Sequence, residues 1–176
     1  MYNHPLFKIP FRFGLVAGML GSLVVWVLYY MGKHPFLIPI LMDFRIVIYA
    51  IFIFMALKIV RDNYLQGTLF FWQGMVGSYV FLITAGLVGA LATLGLAFWQ
   101  KDFLMSYIRS TQMQMTHFKK EFVDNIGSAA YEQQMGQLTN TSAFALASDY
   151  FLKSLFIGLF LTIIISVILR KQKQTQ

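Results

Sequence analysis

The chain has 176 residues, 58% hydrophobic and 12% charged, whereas soluble domains run near about 45 to 50% and about 25%. That balance excludes an ordinary soluble domain, and the long unbroken apolar runs exclude a β-barrel, whose strands alternate apolar and polar residues. The absence of cysteine excludes disulfides, thiolate metal sites and cysteine nucleophiles, while a formal charge of +7 gathered at the ends of apolar runs points to lipid rather than nucleic acid.

A basic lead containing Lys8 and Arg12 precedes the first run, residues 13–31. The run exceeds a cleavable signal core, and Trp26, Tyr29 and Tyr30 stand where small cleavage-site residues belong, so it is expected to stay as span one. Gly14, Gly18 and Ser22 recur every four positions and form a stripe on which another helix can pack closely. Residues 32–39, with Pro35 and Pro39, predict a tight connection to span two, about 40–59. Asp43 and Arg45 interrupt the start of that span. Near a helix end they fit an interfacial position with Arg45 snorkelling outward, the alternative being a buried ion site.

Lys58, Arg61 and Asp62 close span two, and a turn through Gly67 leads to span three, 69–99. This run carries no formal charge, and Trp72 and Trp99, about 40 Å apart on a helix, can occupy opposite headgroup layers. Its small residues (Gly74 and Ser78; Ala85, Gly89 and Thr93; Gly86 and Ala90) make it the expected packing spine. Gln73 and Thr84 read as interhelical hydrogen-bonding groups rather than a solute path.

The insertion at about 100–150 is the one sizeable polar region. Leu104, Ile108, Thr111, Met115, Phe118 and Phe122 follow the spacing of a narrow helical seam, predicting an amphipathic helix over 102–122. Gly127 ends it, and a weaker helical stretch carrying Tyr131, Met135 and Leu138 completes an outer helical hairpin. Met105, Met113, Met115 and Met135 supply either an adaptable binding face or core filling. Span four, 151–169, opens with Asp149 and Lys153 as an (i, i+4) pair and ends in Arg170, Lys171 and Lys173.

Counting alternate sides, Lys8, Arg12, Lys58, Arg61, Arg170, Lys171 and Lys173 share one side with Asp62, a net of +6, against +1 on the other. Both termini are therefore expected in the cytoplasm. Gly18-Met-Leu-Gly-Ser-Leu-Val24 returns as Gly74-Met-Val-Gly-Ser-Tyr-Val80, five identities in seven positions, which suggests either two parallel two-helix repeats or coincidence. His4, His34 and His117 lie in separate segments without ligand spacing. The Asn140-Thr141-Ser142 sequon reads as a turn, and no catalytic constellation is present in the sequence.

The order of parts resembles a family of small bacterial four-span membrane proteins whose domain has no assigned function. The resemblance rests on the glycine-bearing first span, Lys58-Ile-Val-Arg61-Asp62 with Gly67, Phe71-Trp72-Gln73-Gly74, Lys101-Asp102-Phe103 and the closing Arg170-Lys171. It implies fold and location, and passes on no catalytic, cofactor-binding or metal-binding residue.

The expected protein is all-α and polytopic: one domain, 1–176, of four transmembrane helices with the amphipathic hairpin between spans three and four. It is expected in the inner cell membrane, multi-pass, with the bilayer as partner and a homo-oligomer or another membrane protein allowed through its glycine-rich faces, and with no nucleic acid, cofactor or enzymatic activity. A structural or interaction role leads, and a small-solute transporter or channel with Asp43, Arg45 and Gln73 near its pathway is the rival.

Overall fold

A computed structural model describes residues 4–170. Seven α-helices follow one another among the described residues: α1 (Pro5–Tyr30), α2 (Arg45–Tyr64), α3 (Phe71–Trp99), α4 (Lys101–His117), α5 (Lys119–Ile126), α6 (Ser128–Leu138) and α7 (Ala143–Leu169). Lys171 and Lys173, counted in the charge balance, lie outside the described residues.

Three of these helices, α1, α3 and α7, are long and apolar enough to cross a membrane. The sequence reading expects four. α2 differs because every 18-residue stretch of it contains Lys58, Arg61 and Asp62. Helix boundaries also differ, for local reasons. α1 starts at Pro5 rather than 13: a proline at the first helical position loses no hydrogen bond, and His4 Nδ1 accepts from the Leu6 N–H at 3.3 Å. α2 starts at Arg45 rather than 40, after a 3-10 turn over Ile40–Met42, because the Asp43 carboxylate accepts from the Arg45 N–H at 2.9 Å. α7 starts at Ala143, where Ser142 Oγ accepts from the Ala145 N–H at 3.1 Å.

The small-residue faces set the packing. α3 makes its largest interfaces with α7 and α1. A Cβ at Gly14 would lie 2.7 Å from the Phe81 carbonyl oxygen, and one at Gly18 2.9 Å from that of Ala85, so α1 and α3 run parallel in close backbone contact. Along α7 the order reverses: Gly74 meets Ser166, Gly158 meets Leu82, and Gly86 meets Ser154 and Phe151. Each four-residue step up α3 is a four-residue step down α7, the register of antiparallel helices joined along one ridge. Ser154, Gly158, Thr162 and Ser166 form the matching stripe on α7, which the sequence reading passed over.

The glycine faces are thus engaged within the chain, and the bundle's outward surface is apolar, with Leu23, Leu91, Leu152 and Ile168 all exposed. The two copies of the internal echo sit in unlike places. Gly18 lies level with Ala85 to Val88, which is about 16 to 21 Å further along than Gly74, and it faces α3 whereas Gly74 faces α7. They do not form equivalent contacts.

The insertion is helical, but the helix expected over 102–122 breaks at Phe118 (φ −101°, ψ 25°) into α4 and α5. Gly127, at φ 85°, separates α5 from α6, a conformation costly for residues with a Cβ. α6 packs back against α4 and α5, burying Met115 and Tyr131. Phe118, expected in the seam, is 45% exposed, and Phe103 at the start of α4 is fully buried instead.

Candidate functional site

The polar centre of the molecule lies where the start of α2 meets α7. Asp43 and Arg45 are only 7% and 5% exposed. The expected outward snorkelling is not what the chain does: Arg45 turns inward. Its Nε donates to both Asp43 carboxylate oxygens at 2.9 Å, and Nη2 donates to Oδ2 of the same group. Nη1 donates to the Tyr150 carbonyl oxygen and to Ser154 Oγ, each at 3.0 Å. The guanidinium carbon stands 4.4 Å from the centre of the Tyr150 ring.

This arrangement follows from local sequence. Asp43, two residues before Arg45, can hold both the backbone N–H and the side chain of Arg45, and so starts the helix and neutralises the charge together. Tyr150 and Ser154, one turn apart on α7, offer a ring face, a carbonyl and a hydroxyl. Ser154 Oγ also donates to the Tyr150 carbonyl at 2.8 Å and accepts from Tyr49 Oη at 3.2 Å. The Tyr150 ring occupies the space left by Gly89, where any Cβ would overlap it, and its hydroxyl would lie 3.0 Å from a Cβ at Gly21. Four helices therefore meet around one arginine.

The adjoining cavity, lined by Val25, Phe36, Phe44 and Lys153 among others, holds about 10 Å³, room for about one water molecule. Beside so small a space, Arg45 ties the start of α2 to α7.

Other residues singled out from the sequence lie elsewhere. Gln73 Oε1 accepts from the Phe70 N–H at 3.0 Å, capping its own helix, and Thr84 Oγ1 donates to the Val80 carbonyl at 2.7 Å. Neither bridges helices. Asp149 and Lys153 pair at 2.7 Å as the spacing requires. His4 caps α1, and His34 tethers the α1–α2 connection to α4: its Nε2 lies 3.3 Å from the Phe103 carbonyl oxygen, and its ring packs on Phe36, Phe103 and Tyr107. Burial lowers the His34 pKa from its ordinary value, partly opposed by the bond to Phe103. Burial and the nearby Asp149 raise that of Tyr107. Among the described residues no group of three histidine or carboxylate side chains is placed to hold a metal ion.

Sequence reasoning named Asp43 and Arg45 but missed Tyr49, Tyr150 and Ser154. A signal existed for the last two, a tyrosine and a serine spaced (i, i+4) beside the otherwise apolar core of α7.

An all-helical bundle with three membrane-compatible helices and one internal arginine clamp defines the class. The chain belongs to the family described as Protein of unknown function (DUF4199), whose sequence profile matches residues 12–171. No curated protein and no solved structure matches it.

Proposed function

We propose that the chain is a four-span protein of the inner cell membrane, with both termini cytoplasmic, acting as a structural or protein-interaction component rather than as an enzyme. α2 serves as the fourth span: Ile46 to Leu57 carry no charge, Lys58 and Arg61 remain at the cytoplasmic headgroups, and Arg45 is neutralised by Asp43. α4 to α6 form the outer helical hairpin, and the contacts of His34 with Phe103 and Tyr107 favour its packing on protein. Partners, a second copy included, would meet the outward faces of the spans or the hairpin.

The observation that carries this reading is the internal engagement of Arg45, each of whose guanidinium nitrogens donates to Asp43, Tyr150 or Ser154. A transport role has one feature in its favour, a charged pair inside the bundle, but the unlike settings of Gly18 and Gly74 give the repeat behind that reading no support. The test is reconstitution of the parent, Arg45→Met and Asp43→Asn in vesicles, assayed for flux of monovalent cations and small organic anions alongside thermal unfolding. Loss of stability with no parental flux is expected. A parental flux abolished in a variant that remains as stable as the parent would replace this reading with transport.

A further inference from the structure

Outside the bundle, between α4, α5, α6 and the α1–α2 connection, lies a groove of about 610 Å³, within the roughly 300 to 1,000 Å³ of small-molecule sites. It is separate from the Asp43–Arg45 network, and a ligand there goes beyond the structural role proposed above. Its lining divides by chemistry. Met115, Phe118 and Phe122, with Leu37 and Pro39, make an apolar bed, while Gln114, Gln134 and Gln137 bring side-chain amides to the rim. Those three amides form no hydrogen bond with another of the described residues. No Asp, Glu, Lys, Arg or His lines the groove.

Amides both donate and accept, so they match hydroxyl and ester groups, whereas a phosphate or carboxylate calls for arginine or lysine. The cation beside the groove, Lys119, stands over the Tyr131 ring at 5.5 Å rather than in the lining. The apolar bed, with methionine able to follow an irregular chain, suits an acyl tail. Leu41 and Met42, just past Pro39, are 90% and 79% exposed, so the connection flanking the groove presents apolar side chains suited to lipid.

We propose that this groove binds an uncharged amphipathic lipid of the acylglycerol kind, its acyl chain over Met115, Phe118 and Phe122 and its hydroxyl and ester oxygens against the glutamine amides. The test is photolabelling of the full-length protein in lipid nanodiscs with a photoactivatable monoacylglycerol, in parallel with phosphatidylglycerol carrying the same photophore, followed by peptide mapping. The monoacylglycerol should mark α4 and α6 around Met115. Replacing Gln114→Leu and Gln137→Leu, both exposed, should lower that labelling by about fivefold for each hydrogen bond lost. Gln134→Glu, which adds charge where the lining has none, should lower it as well, while Met113→Leu, outside the groove, should not. Equal labelling by phosphatidylglycerol, label confined to the spans, or unchanged labelling in both glutamine variants overturns the proposal.

Discussion

Arg45 Nη1 and the Tyr150 carbonyl oxygen, 105 positions apart in the chain, lie 3.0 Å apart in the folded protein. The bond joins the first turn of α2 to α7, so the most charged of the four long helices is tied to one with an apolar core. Withdrawing an arginine from water is costly, and it is tolerated here because a carboxylate, a carbonyl, a hydroxyl and a ring face all contact it.

Removing one partner of such a pair strands a buried charge. Arg45→Met or Asp43→Asn should therefore destabilise the bundle by about 3 to 5 kcal/mol, and the double variant should recover part of that loss. Chemical unfolding in detergent measures all three. Single variants as stable as the parent would show that the pair is solvated and the clamp absent.

What the sequence revealed about this site depended on distance along the chain. The small-residue ridge on α3 and the Asp149–Lys153 pair arise within one or two helical turns, where spacing alone dictates contact. Arg45 near a helix end reads as turned outward, because the inward arrangement depends on Tyr150 and Ser154, which no local pattern connects to it. The break at Phe118 was likewise hidden, since the seam spacing continues straight through it. Hydropathy places the start of α2 at 40 because it marks apolar runs, whereas the helix itself begins where Asp43 can cap it.

The glycines of α3 allow a comparison within a single helix. Gly89 is filled by the Tyr150 ring, whereas Gly95 has open space around it. Gly89→Ala should push Tyr150 off its site and cost about 1 to 3 kcal/mol, while Gly95→Ala should be neutral or slightly stabilising through helix propensity. Thermal unfolding of the two proteins decides the matter, and equal effects would contradict the packing described for α3 and α7.

Topology is testable because the chain contains no cysteine. Single cysteines at Asn63, beside the α2–α3 turn, and at Gln133, on α6, should label from opposite faces of the membrane, with Gln133→Cys alone reacting with an impermeant reagent in intact spheroplasts. Reaction of Asn63→Cys alone would invert the orientation. Reaction of both would remove α2 or another helix from the spans.

His34 predicts how stability depends on pH. Its folded pKa lies below the ordinary 6.5 because burial disfavours the charged ring, so the unfolded chain binds the proton more readily. The sign follows: this residue lowers stability as pH falls below about 6.5 toward the folded value, and has no effect well above it. Its ring faces Phe36, Phe103 and Tyr107, and Asp149, the carboxylate that bears on Tyr107, is paired with Lys153 at 2.7 Å, so burial sets the direction for His34. The unfolding temperature should fall between pH 7.5 and pH 5.5, and His34→Phe, which keeps the stacking and removes the titration, should flatten that fall. An unchanged pH slope in the variant would place the titration on other groups and leave His34 with a packing role only.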